Sequence, residues 1–583
     1  MDTNIRTKST LQDIFSNECD EETVASNKSS IHCEEQIVDS DQSSINCEEI
    51  KSIDDLAMQE TINAISAKTK DEIFIQSDSS SETLQDNTTP WQNPDYFKSY
   101  WQEYAFIITC MLTNLLNQAG QSQILSTMNV LGDAFHTDDN KKTWIMASFP
   151  LVSGSFILIS GRIGDVYGLK RTLMGGCIGM IIWSLICGFS SYSSNVTFFI
   201  TARAFQGLGV AFALPNAMGL VGNIYKVGTL RKNIVISFIG MCAPAGAALG
   251  SLWAGMITYE DESQWPWIFY AYAIVTFINL CMAYVSIPNT VPTNTNGFSM
   301  DWWGSVLAVV GLILFNFVWN QGPIVGWQTG YVIALLVISL LFLIAFFLYE
   351  VKYAESPLLP PEVVKNRHII TILVVIFMGW GSFGIWTFYY YAFQLNLRHY
   401  STVWAGGSHC MFILFGTIAA FICAFSIKRV GAPFILFCSA IGFTVGSMLL
   451  SITPVHQTYW KMNIGMVAIL SFGMDLSFPA ASIILSDFLP MQYQGMAGSL
   501  VNTIINYSTS LCLGMGTTVE RQINKSGKDT LKGYRAALYC GIGLGGLGIC
   551  IAISYLCETI FINRKERLAA KKLKEQNNHP HQC

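Results

Sequence analysis

GRIGDVYGLKR, running from Gly161 to Arg171, separates two apolar stretches that are each long enough to cross a bilayer. Gly161, Gly164 and Gly168 permit a tight turn and close approach of neighbouring helices. Asp165 is placed to face a helix N-terminus or an arginine. Arg162, Lys170 and Arg171 are bases of the kind that hold a short loop in the cytosol. The apolar runs on either side of this loop decide the fold class.

Of 583 residues, 51% are hydrophobic and 13% charged, about half the charged share of a soluble domain. A helix needs about 20 mostly apolar residues to cross the hydrocarbon core. On that rule the chain has spans at 104–127, 144–162, 171–190, 197–218, 233–257, 266–287, 302–319 and 329–349. Further spans follow at 369–393, 404–425, 431–452, 459–484, 495–518 and 535–562. The reading is an all-α membrane protein with fourteen transmembrane helices.

Charge is divided along the chain. Residues 1–100 hold 21 acids and 7 bases, and the remainder is mildly basic. That leader is poor in apolar residues and is expected to be a disordered acidic cytosolic tail. It lacks a signal-peptide core, and its Ser-rich segment 77–86 is a candidate for phosphorylation. With the N-terminus inside, the inner loops and C-terminal tail carry 17 Lys and Arg against 9 in the outer loops, so both termini are placed in the cytosol. Asn195 and Asn524 then fall outside, in sequons that are candidates for glycosylation. The sixteen cysteines form no CxxC pair and lie mostly in apolar spans, which argues against a disulfide framework or metal cluster.

Arg203, in RAFQGLG (203–209), is a permanent charge inside an otherwise apolar span. It either snorkels to the interface or is buried for gating or coupling, and its depth favours the second. GMCAPAGAALGSLWAG (240–255) offers small residues for close packing and Pro244 to loosen the backbone ladder.

The glycine-rich inner loop, Arg203 and the span count together resemble the major facilitator superfamily, in its fourteen-span drug:proton antiporter branch. The fifth-span motif is similar to that superfamily's antiporter signature, with alanines where paired glycines are usual. WQNPDYF (91–97), LLNQAGQ (115–121), MASFPLVSGSFILISGRIGDVYG (146–168), GWGSFGIWTFYYY (379–391), LSFGMDLSFPA (470–480) and MQYQGMAGSLVNT (491–503) narrow the resemblance to the fungal aminotriazole- and boron-resistance exporters. The resemblance implies two six-helix bundles, at 101–288 and 351–562, around a central cavity. Segment 289–350 would be a linker with two extra helices, and 563–583 a basic cytosolic tail. It also implies an efflux carrier of the plasma membrane, the vacuolar membrane being the other possible residence.

Candidate site residues follow from the cost of polar groups in lipid. Asn117, Gln118 and Gln121 in the first span line a cavity or simply join helices. Tyr389 and Tyr390 in the aromatic ninth span, and Asn502 and Asn506 in the thirteenth, are further lining candidates. Asp475 is the one acid placed deep in a span. A lone buried carboxylate can stay protonated, which makes it a candidate proton carrier; the alternative is an ion pair with Arg203 across the two halves. The gating set is Gly161, Arg162, Asp165, Gly168, Arg171 and Arg203.

The expected function is export of small polar toxic solutes such as boric acid or aminotriazole, by proton antiport and alternating access. The alternatives are a facilitator or uptake carrier for a solute such as ammonium, and a transporter-like nutrient sensor. The chain shows no phosphate loop, metal cluster or nucleophile–base constellation, so no enzyme, metal or cofactor is expected beyond the proton gradient. The expected partners are a small solute and the lipid bilayer, with no nucleic acid, and the carrier is expected to be a monomer.

Overall fold

The computed structural model describes residues 96–577 apart from short stretches at 138, 194, 227–228, 292–296, 298, 360–362, 364, 489–493 and 525–526. The expected acidic tail up to residue 95, including 77–86, and the last six residues of the basic tail lie outside the described residues.

Among the described residues, fourteen helices are twenty residues or longer and no strand occurs. They are α1 (Tyr100–Ser122), α2 (Asp139–Tyr167), α3 (Leu169–Phe189), α4 (Val196–Ile224), α5 (Leu230–Ile257), α6 (Pro266–Ser286) and α7 (Trp302–Val325). After these come α8 (Gly330–Lys352), α9 (Arg367–Ala392), α10 (Met411–Val430), α11 (Ala432–Ile452), α12 (Tyr459–Phe488), α13 (Gln494–Asn524) and α14 (Thr530–Asn577). Each falls on one of the apolar runs read from the sequence. Twelve are long and apolar enough to cross a membrane. The other two, α1 and α13, have the length but carry more polar side chains.

The helix starts follow from side-chain capping. Asn195 Oδ1 accepts from Thr197 N at 2.9 Å to open α4, and Asp301 Oδ1 accepts from Gly304 N at 2.9 Å to open α7. Asn366 Oδ1 does the same for α9 through His368 N at 2.9 Å. Five prolines (Pro150, Pro215, Pro244, Pro323 and Pro479) lie inside α2, α4, α5, α7 and α12. A membrane bundle tolerates them because neighbouring helices and hydroxyls satisfy the freed carbonyls.

Helices α1–α6 pack mainly on one another, as do α9–α14. The two groups meet where α13 lies against α2 and α4, and where α5 lies against α10 and α12. Helix α7 bridges α2 and α13, and α8 rests chiefly on α7. Only 17% of the apolar core of α8 is buried, against 78% for α12, so α8 presents its sides to lipid and α12 to protein.

Four expectations change. The first span ends as a helix at Ser122, and 123–127 form a turn. Helix α1 starts at Tyr100 and so includes Glu103, an acid that the span read from residue 104 leaves out. The tenth span is a broken helix, Thr402–Gly407 followed by α10. There the Gly406 backbone lies so close to Ser251 and Leu252 of α5 that a Cβ would stand 2.5 Å from the Ser251 carbonyl oxygen. Finally, two bases of the glycine-rich loop are tied to protein. Arg162 is buried and donates to Ser356 O at 3.4 Å. Lys170 donates to Tyr284 O and Ile287 O at 3.0 and 2.6 Å, neutralising the carbonyl end of α6. Arg171 stays exposed.

Small residues set the spacing of α5 and α1. A Cβ on Gly250 would stand 2.7 Å from Ala119 Cα, and backbone cannot yield as a side chain can. Gly250→Val is therefore expected to destabilise the fold by about 1–3 kcal/mol through overpacking, read as a lowered melting temperature of the detergent-purified protein.

Candidate functional site

The stretch ILSFGMDLSFPA (469–480) forms the middle of α12. Gly473 lets α12 close on α11: a Cβ on the facing Gly442 would lie 2.7 Å from Gly473 N. Asp475, two residues on, is directed instead toward α5 and α10. Its carboxyl occupies a notch where a Cβ on Gly416 would meet Asp475 Oδ2 at 2.7 Å and Pro244 Cγ at 2.8 Å. The residue is 4% exposed, and its buried Oδ2 has no hydrogen-bond partner among the described residues. Pro479, one turn further, lies beside Gly240 of α5.

Asp475 lines a cavity between the two helix groups. From the first group come Asn114 and Gln118 of α1 and Gly240 and Ala243 of α5. The second contributes Trp380 of α9, Met474, Phe478 and Pro479 around Asp475, and Asn502 and Ile505 of α13. Three of the sequence candidates, Gln118, Asp475 and Asn502, are thus brought to one place. Asn114 was not singled out, although its spacing of four from Gln118 puts both on one helical face. Gly416 carries no side-chain signal at all.

The other amide candidates lie beside this cavity and connect the halves. Gln121 Nε2 donates to Asn506 Oδ1 at 2.8 Å and faces Asn117 Oδ1 at 3.5 Å. Asn506 Nδ2 then donates to Asn502 O at 3.0 Å. Tyr390 is elsewhere: its hydroxyl donates to Ser408 Oγ at 3.0 Å and its ring stacks on Trp386 at 4.6 Å. Tyr389 packs on Tyr534 with ring centroids 5.3 Å apart. These two tyrosines belong to the aromatic packing where α9 meets the broken helix, and neither is among the cavity-lining residues. Nearby, Tyr391 donates to Ser251 Oγ at 2.6 Å and Thr402 to Gly255 O at 3.1 Å. These contacts close the halves together at the end of the bundle remote from the glycine-rich loop.

At the loop end, Gly161 faces Ser499 of α13, where a Cβ would meet its side chain at 3.1 Å. Gly168 has φ +113, a conformation that favours glycine, and so permits the abrupt passage from α2 to α3. Asp165 lies within electrostatic reach of Arg162.

Arg203 is fully buried within the first group. It bonds Gln206, donates to Gly120 O at 2.8 Å, and lies 4.7 Å from the Phe149 ring centroid. All these partners sit on α1, α2 and α4, so the alternative of an ion pair with Asp475 is not realised. A second buried charge had no clear sequence signal. Glu103 of α1 pairs with Arg231 of α5 and accepts from the Tyr225 hydroxyl at 2.8 Å. Of the glycosylation candidates, Asn195 is exposed and caps α4 through its Oδ1. Asn524 donates to Glu520 Oε1 at 2.5 Å, and the two residues that complete its sequon lie outside the described residues.

A family model described as Major Facilitator Superfamily matches residues 110–512. The chain belongs to the major facilitator superfamily. It is therefore a membrane transporter of small solutes. It is 59% identical over 492 residues to the aminotriazole resistance protein of Saccharomyces cerevisiae, covering 84% of this chain and 91% of that one. An uncharacterized transporter of the same yeast is 60% identical, covering 85% of this chain and 94% of its own. The low affinity ammonium transporter of that yeast is 40% identical, over 81% and 92% of the two chains. Among solved structures, the human organic anion transporter MFSD10 has a similar fold with TM-score 0.54 at 11% identity, covering 77% of this chain and 99% of its own.

Within this superfamily member, Arg231→Ala would leave Glu103 buried without its cation. The expected cost is about 3–5 kcal/mol, lowered somewhat because Arg231 is 23% exposed. The double change Glu103→Gln with Arg231→Met is expected to restore most of it, as thermal melts of both variants would show.

Proposed function

We propose that this transporter exports small polar solutes of the aminotriazole and boric acid kind from the plasma membrane by proton antiport. The observation that carries the reading is Asp475, buried without a partner in a cavity that both helix groups line. An acid there, facing no cation, takes up a proton when the cavity is closed and gives it up when the cavity wets, which couples proton movement to the exposed side. Similarity to the aminotriazole resistance protein, and to an efflux pump of Aspergillus terreus at 36% identity, supports the export direction.

On this reading all fourteen helices cross the membrane. The polar faces of α1 and α13 turn to the cavity and seam, which excuses their lower hydropathy, and the excess of bases on the terminus-bearing side places both termini in the cytosol. Bundles 101–288 and 351–562 rock about the cavity, with 289–350 following as a pair of extra helices and the carrier acting as a monomer. Gly161, Arg162, Asp165, Gly168 and Arg171 form the cytosolic gate. Arg203 holds α1 and α4 in register. Gln118 and Asn502 contact the solute, with Asn117, Gln121 and Asn506 behind them, while Tyr389 and Tyr390 support the outer gate. Asn195 and Asn524 are the glycan acceptors.

Cells that express the carrier should accumulate less aminotriazole and boric acid than cells without it, and a proton ionophore should abolish the difference. Asp475→Asn should remove the ionophore-sensitive export while leaving the protein in the membrane. Full export by that variant would show the acid to be structural. The similarity to an ammonium transporter favours one other reading, uptake. It requires that expression raise rather than lower methylammonium accumulation, and that Asp475→Asn leave that flux intact.

A further inference from the structure

The amides around the cavity are not free to choose which end they present. One N–H of Asn114 Nδ2 is spent on Ile239 O at 2.7 Å, and one of Asn502 Nδ2 on Gly498 O at 2.9 Å. A carbonyl partner accepts only from the nitrogen, so both orientations are fixed. Each amide is thereby left with its oxygen, which has two lone pairs for a solute, and with a single remaining N–H. Trp380 Nε1, the indole donor on the wall, is likewise spent on Ser477 Oγ at 3.0 Å. Asp475 adds two further oxygens. Against these stands one side-chain amide, Gln118, with no hydrogen bond among the described residues and therefore able to present either end. No Lys, Arg or His lines the cavity, and the buried cation of the first helix group, Arg203, bonds Gln206 and Gly120 O instead.

We infer that this cavity is an acceptor-rich site that selects small neutral or cationic solutes carrying several N–H or O–H donors and a flat face, and turns away anions. The inference rests on the export reading above and makes Asn114 and Asn502 specificity-determining residues. A solute with several donors satisfies the Asn114 and Asn502 oxygens and the Asp475 carboxyl together, and its flat face lies against the rings of Trp380 and Phe478. An isostere without donors leaves those oxygens desolvated and unpaired, which costs about 1–3 kcal/mol for each group. An anion would face oxygen ends and a carboxyl with no compensating cation. When Asp475 is protonated it supplies one donor, and acceptors still predominate.

The test uses the full-length carrier in proteoliposomes with an imposed proton gradient and three probes of similar size. They are 3-amino-1,2,4-triazole, with several N–H donors, 1-methyl-1,2,4-triazole, with acceptors only, and the anion 1,2,4-triazole-3-carboxylate. The expected result is transport of the amino compound with a KM at least about tenfold below that of the methyl compound, and no transport of the carboxylate. Asn502→Leu, of similar volume, should raise the KM for the amino compound by about tenfold at an unchanged melting temperature. Gln118→Lys should admit the carboxylate. Equal transport of the amino and methyl compounds, or transport of the carboxylate by the unaltered protein, overturns the inference while leaving export intact. If no probe moves, the export reading fails and this inference fails with it. Should Asn502→Leu fold poorly, the three-probe comparison on the unaltered protein decides alone.

Discussion

Asp475 holds a carboxyl in the middle of a membrane bundle without a cation to face it, and the surrounding helices are shaped by that fact. Gly416 leaves space for the carboxyl beside Pro244, since a single methyl there would lie 2.7 Å from Oδ2. Pro479 and Gly473 on its own helix set how α12 approaches α5 and α11. A charge in this position costs several kcal/mol unless it is paired or protonated. The notch is therefore most stable in one protonation state and strained in the other. On the proposed antiport reading, a two-state element of this kind would couple a proton to a change of shape.

Two other buried charges are handled differently. Arg203 is surrounded by a carbonyl, an amide and an aromatic face within one helix group, and Glu103 is paired with Arg231 and a tyrosine hydroxyl. The partners of these groups lie inside a single half, so on the proposed rocking motion their contacts would not need to break. Contacts across the seam are of another kind. Several of them are single hydrogen bonds between neutral groups, such as Gln121 to Asn506 and Tyr391 to Ser251. Each is worth about 0.5–1.5 kcal/mol, which suits an interface that opens and closes.

Much of this was legible beforehand. The fourteen long helices lie where apolar length placed them, and for the twelve apolar enough to cross a membrane the reason is that in lipid a run of about twenty apolar residues has no other way to satisfy its backbone. Asp475 stood out as a lone deep acid, and Gln118 and Asn502 as amides in costly places. Asn114 was passed over although it shares a face with Gln118. The Glu103–Arg231 pair was hidden because each partner sits at a span end, where charges are commonplace. Tyr389 and Tyr390 had the chemistry of lining residues but face the aromatic packing beside the broken tenth span.

The sequence by itself determined where the helices lie and which family pattern they follow, since hydropathy and length are local properties and the glycine–acid–base loop is a local signature. Only the tertiary structure decided how each helix is rotated and which polar groups meet. Rotation depends on where glycines allow two backbones to touch, as at Gly250 against Ala119 and Gly442 against Gly473. Those contacts join residues far apart in the chain. They separate Asp475 from Arg203, bring it to Gln118 and Asn502, and set Asn114 and Asn502 along a common cavity with their Nδ2 groups bonded to backbone carbonyls.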